Sequence, residues 1–178
     1  MDTQHIISEL TLHHDAFIQK IKSLSDQDFM LPPNGKWSAA QQLEHIIKSV
    51  KPIDMAFGLP AFVLKMKFGL ANRSSKSYEA LVTKYKAKLE ENKDFEMPKE
   101  YWPDEIPLKR KEKSLQKLEK LVQKLCGRLS KYTEEELDQY ILPHPLLGKL
   151  TLREMLYFTI YHVQHHDKQI LENLGFEH

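Results

Sequence analysis

The sequence predicts an all-α protein: a four-helix bundle with a long, helix-containing insertion between its second and third main helices. Three observations predict it. Four segments repeat apolar residues at helical spacing. No stretch alternates β-branched and polar residues as a half-buried strand would, and no dipeptide reads as a hairpin turn between two such stretches. The connection from about residue 52 to 110 is much longer than bundle links usually are, which calls for a crossover or an insertion.

The first helix is expected over roughly 3–24, with Ile6, Leu10, Phe17, Ile21 and Leu24 on one stripe. "SDQDFMLPPNGK" then reads as a loop. The second helix opens at "KWSAAQQLEHIIKSV", where Ser38 caps and Gln41 closes a capping box ahead of Leu43, Ile46, Ile47 and Val50. Inside the long connection, "SYEALVTKYKAKLEEN" reads as an extra helix capped by Ser77. The segment after it carries three prolines together with Phe95, Tyr101 and Trp102, aromatic side chains that favour burial, so it reads as an ordered lid or packing arm. The third main helix covers roughly 111–130. Leu115, Leu118, Val122, Leu125 and Leu129 make a narrow seam there, with Lys and Glu elsewhere. The fourth opens at Thr151, with Glu154 closing its capping box, and continues to about Leu174 before Gly175.

Composition narrows the function. The 178 residues suit one domain over 1–178 with a buried core. Twenty-six Lys+Arg against twenty-five Asp+Glu argue against nucleic acid as a partner. The basic run "LKRKEKSLQKLEKLVQK" interleaves lysine with glutamate around the leucine seam, as a solvated helix face does. The most apolar window, residues 55–71, is broken by Gly58, Pro60, Lys65 and Lys67, so no membrane span is expected. The polar N-terminus lacks a signal-peptide pattern, and the single cysteine, Cys126, excludes an internal disulfide. A cytoplasmic protein is the resulting expectation. Cys126 lies near the apolar seam and reads as an inert thiol.

Chemistry concentrates in "HVQHHDKQI", residues 162–170. On a wheel of about 100° per residue, His162 and His166 project side by side on one flank of the stripe formed by Leu152, Leu156, Val163, Ile170 and Leu174. His165 lies about 100° further round than His166, away from the stripe, and is expected to face solvent. Two imidazoles one turn apart can share a divalent metal ion. They can equally be partly buried histidines bonded to neighbouring helices, and a pair through His162 and His165 is also geometrically open. The intervening Val-Gln-His contains no glutamate, which excludes the zinc-protease pattern. A third ligand has to come from elsewhere. His45 points away from the line through Leu43, Ile47 and Val50, which is the place of an exposed or groove-edge residue. His13 and His14 straddle the stripe of the first helix and read as packing residues. His144, between two prolines in "LPHPLLGK", reads as part of a turn. His5 and His178 lie near the termini and carry little weight.

These motifs resemble those of the DinB/YfiT-like superfamily. The pattern is a Trp-Ser helix start with a histidine seven residues after the serine. It closes with a Gly-x-Leu-Thr helix start leading into His-x-x-x-His followed by Gln-Ile. The resemblance runs from about residue 5 to 174 in organisation, and its motifs sit on the second and fourth helices. It implies up-down-down-up connectivity and a metal site formed by His45, His162 and His166, with zinc or nickel best suited to imidazole ligands that leave positions open. His165 departs from that pattern. The resemblance further implies a metal-dependent enzyme that joins a low-molecular-weight thiol to a small electrophile. A hydrolase and a non-enzymatic, stress-associated metal-binding bundle are the alternatives. A small-molecule substrate and a homodimer are expected, and residues 95–107 and 59–70 are candidates for the wall of a substrate pocket or for packing against the bundle or a second subunit. No residue is singled out as a general base.

Overall fold

Asp2 starts the first helix by accepting a hydrogen bond from the backbone N–H of His5, and α1 runs Thr3–Ser23. The structure, a computed structural model, describes residues 1–32, 35–92 and 96–175. A short α2 (Asp26–Met30) precedes α3 (Ala39–Phe57), which opens on the Ser38–Gln41 capping box. The insertion contains α4 (Ala61–Phe68) and α5 (Tyr78–Glu91), the latter capped by Ser77. Two 3-10 turns, Lys99–Tyr101 and Leu108–Arg110, lead into α6 (Lys111–Leu129). Next come α7 (Glu134–Gln139), a hairpin of β1 (Ile141–His144) and β2 (Gly148–Thr151), and α8 (Leu152–Leu174). Gly175 ends α8 in the left-handed conformation (φ 74°), where a residue without Cβ is unstrained.

Helices α1, α3, α6 and α8 form the bundle. α1 packs on α6 and α8, and α3 packs on the same two. Arg153 Nη1 donates to Met1 O, and Lys20 pairs with Asp167 at the other end, so α1 and α8 are parallel. Gln42 meets His166 and His45 meets His162, so α3 runs against α8. Lys111 Nζ bonds Leu24 O, which puts the start of α6 beside the end of α1. Arg128 reaches Asp54, so α3 and α6 end together. These contacts give the up-down-down-up order. Phe17, Leu43, Leu118 and Val163 have no exposed surface. Each such side chain contributes on the order of 2 kcal/mol by leaving water.

The structure differs from the sequence reading at several points. α3 continues through Pro52, whose missing N–H costs one backbone hydrogen bond. Burial of Ile53 and Phe57, with Arg128 3.0 Å from the Asp54 carboxylate, outweighs that loss. α2 and α4 form where a loop and an unassigned connection were expected. The hairpin pairs Ile141 with Thr151 and His144 with Gly148. Its four-residue strands contain Pro143, and they are too short to show alternation. Trp102 is half exposed instead of buried, its ring centroid 5.9 Å from that of Trp37. Phe95 and His178 lie outside the described residues. Among the described residues no helix is long and apolar enough to cross a membrane.

Glu154 does more than close the cap of α8. It has no exposed surface and accepts from the backbone N–H of Thr151 (3.0 Å) and of Lys76 (2.9 Å), and from both Nη atoms of Arg73 (2.6 and 2.7 Å). Burial by itself would push this carboxyl up, but the hydrogen bonds hold it below the usual range. The insertion is thereby anchored to the first turn of α8.

His14 is buried against the bundle, its Nδ1 2.7 Å from Leu10 O and its Nε2 without a partner among the described residues. Burial lowers its pKa from 6.5 to about 4. The neutral ring therefore adds no penalty above pH 6.5, and stability is lost as pH falls from there towards 4, because the unfolded chain binds the proton first. Replacing His14 by Leu is expected to flatten this limb. Urea titrations at pH 7.5 and pH 4 should show the variant losing about 3 kcal/mol less stability than the parent across that interval.

Candidate metal centre

Two antiparallel helices build the site. Ser38 and Gln41 fix the start of α3, so that Gln42 comes one turn later and His45 two turns later, against the middle of α8. There the one-turn spacing of His162 and His166 presents both rings to α3. His45 Nε2 lies 3.2 Å from His162 Nε2, which lies 3.0 Å from His166 Nε2. One ring nitrogen from each of the three histidines falls within 4.8 Å of the other two. The remaining nitrogens of two rings are tied down. His45 Nδ1 donates to Tyr101 O at 2.9 Å, and His166 Nδ1 donates to the Gln42 side-chain carbonyl.

These outer bonds set the chemistry. With protons on Nδ1, His45 and His166 turn Nε2 lone pairs toward His162. One N–H on His162 can satisfy only one of its two close contacts, leaving lone pair against lone pair at the other. A cation among the three removes the conflict. Imidazole ligands at about 2.1 Å in a tetrahedron stand roughly 3.4 Å apart, near the observed spacings. Burial keeps the rings neutral: His162 and His166 are held well below the usual histidine range and His45 is lowered. For His162 the neighbouring histidines add to the effect of burial. The donor set therefore fits a divalent metal ion.

His45 leaves the apolar line of its helix, as helical spacing indicates, yet only 4% of it is exposed. It faces α8, the Trp37 ring at 5.0 Å and the backbone of Tyr101. His165 is half-buried instead of solvent-facing. The insertion explains this: Tyr85 of α5 stands edge-on to its ring, centroids 6.3 Å apart, while Gln169 on the same helix bonds its Nε2 at 3.0 Å. His13 pairs with Glu9 on the surface, and His5 also faces Glu9. Cys126 is half-buried, with burial raising its thiol pKa.

A cavity of about 700 Å³ opens beside the cluster. Its walls include Ile53, Ala56, Phe68, Leu89, Leu142 and Phe158, and polar residues such as Lys36, Ser49, Glu172 and Asn173 also line it. Phe68 comes from the expected 59–70 stretch, and Met97 and Tyr101 come from the expected 95–107 stretch. Phe62 and Met66 of α4 are instead exposed. Gln42 carries little mark of this role in the sequence. Its signal was its position three residues before His45, which puts both on one helix face.

A buried trihistidine cluster beside an apolar cavity in an up-down-down-up bundle is the form of a metal-binding helical protein. The chain matches the family model of the DinB superfamily over residues 9–170 and belongs to that superfamily. Among solved structures it resembles YfiT from Bacillus subtilis, described as a probable metal-dependent hydrolase with an unusual four-helix bundle topology. The two share 17% identity, the match covers 98% of this chain and 89% of that one, and the TM-score is 0.61. Comparison with curated proteins finds no match.

The Gln42 bond to His166 predicts a measurable loss. Gln42→Leu removes the acceptor that fixes this tautomer, and metal affinity should fall about 10- to 100-fold. Competition titration with a chromophoric chelator measures it, with circular dichroism confirming an intact fold.

Proposed function

We propose that His45, His162 and His166 hold a divalent metal ion, zinc or nickel by the imidazole donor set, and that the protein is a metal-dependent enzyme acting on a small molecule. The observation that carries the reading is the convergence of three ring nitrogens beside an apolar cavity of about 700 Å³. Such an ion, when bound, supplies Lewis-acid chemistry that lowers the pKa of a thiol or water molecule reaching it. The chain's own residues do the rest. Tyr101 O and Gln42 hold the ring protons outward, and the rings of Trp37 and Phe158 lie against the cluster and limit access of water.

The reaction favoured is transfer of a low-molecular-weight thiol to a small electrophile. Among the described residues no carboxylate joins the cluster, and Glu172 is the one acidic residue lining the cavity. A hydrolase needs a group to take a proton from water, whereas a thiol is acidic enough to react with less help. Hydrolysis is the second reading, supported by the description of the structurally similar YfiT.

Untagged protein should carry metal in stoichiometric amount by mass spectrometry, and His162→Ala should lose at least about nine-tenths of it. Unchanged metal in the variant would overturn the ligand assignment. Metal-loaded protein mixed with an aryl halide and a panel of low-molecular-weight thiols should consume free thiol in a metal-dependent way. Metal-dependent ester cleavage without thiol loss would select the hydrolase.

A further inference from the structure

His144 sits at the end of β1, in the turn that leads to β2. Its Nδ1 lies 3.1 Å from the backbone N of Leu146 and 3.1 Å from that of Leu147. A backbone N–H can only donate, so Nδ1 is the acceptor and the proton of the neutral ring resides on Nε2. No protein group among the described residues accepts from that Nε2, although the ring is half-buried and lines the cavity. The ring is held in place: its edge meets Phe158 at 4.2 Å between centroids, and Phe158 in turn stacks on His162 at 4.7 Å. One phenyl ring thus separates a fixed N–H donor from the trihistidine cluster. Leu142, Leu146 and Met155 supply apolar surface around it.

We propose that His144 is a substrate-binding residue whose Nε2–H receives an acceptor oxygen, a carbonyl or a carboxylate, of an apolar organic substrate that reaches to the trihistidine cluster. The inference rests on reading the cavity as a substrate site and deepens that reading. An apolar wall takes the hydrocarbon body without discrimination. An unpaired donor in that wall rewards a molecule that supplies an acceptor and disfavours one that leaves the donor dry. The two amides that bind Nδ1 keep this donor from turning away or shifting its proton.

The test uses the full chain, treated with chelator so that binding is independent of the metal assignment. Trp37 lines the cavity and reports occupancy through its fluorescence. Three probes of similar shape are compared: 4-phenylbutan-2-one, 4-phenylbutyrate and butylbenzene. His144→Phe removes both ring nitrogens and endangers the turn. His144→Asn is the decisive variant, because its side-chain oxygen can accept from the Leu146 and Leu147 amides while no donor reaches the Nε2 position. The parent is expected to bind the ketone or the carboxylate about fivefold tighter than butylbenzene, and His144→Asn to bind all three alike. Preference for the ketone assigns a neutral carbonyl, and preference for the carboxylate assigns an anion. Equal binding of all probes by the parent, no binding of either oxygen-bearing probe, or a preference that survives in His144→Asn overturns the proposal. Loss of metal binding in the ligand variants leaves this outcome unaffected, so the two readings fail separately.

Discussion

Three buried imidazoles that point nitrogen at nitrogen form an unstable arrangement unless a proton or a cation shares the space. Much else in this protein serves to hold that arrangement. α3 must run against α8 in the register that sets residue 42 opposite 166 and residue 45 opposite 162. The bundle provides this because α1 and α6 complete the packing on the other faces of both helices. The outward ring nitrogens must also find acceptors, and these come from different sources. Gln42 lies on the same helix as His45, whereas Tyr101 O belongs to the long insertion. The insertion is therefore a structural part of the site.

That dependence gives the insertion its anchors. Arg73 and the backbone of Lys76 grip the buried Glu154 carboxylate at the start of α8. Lys48 of α3 donates to Trp102 O and pairs with Asp104 at 2.8 Å, fastening the segment that carries Tyr101. The Lys48 pair is partly open to water and contributes little by itself. The Glu154 contacts are dry on the acid's side and cost more to break, since they would leave a buried charge without partners. Between these two points α5 closes over α8 and turns His165 from a solvent position into a cavity wall.

The cavity joins two kinds of polar group across an apolar middle. At the trihistidine cluster lone pairs converge and a positive centre is favoured. At His144 a single N–H donor is fixed by two backbone amides of its own turn. Phe158 stands between them and touches both rings. The hairpin thus forms one wall of the cleft, with His144 as its polar side chain among Leu142 and Leu146.

The amino-acid sequence by itself determined the four bundle helices and α5, together with the capped starts of α3, α5 and α8. The 3.6-residue repeat and the capping side chains Ser38, Ser77, Thr151 and Glu154 act within a few residues, so they are legible without the fold. The pairing of His162 with His166 was legible for the same reason. Resemblance to a family, and not spacing, supplied His45. Only the tertiary structure decided that His45 is buried, that His165 is covered and that His144 lines the cavity with its Nδ1 held by two backbone amides. It also decided that Pro52 lies inside a helix and that residues 141–144 and 148–151 pair as strands. In each case the deciding contact comes from a segment distant in sequence or from packing around a short turn, and a polar residue off the apolar stripe carries no local mark of what will cover it.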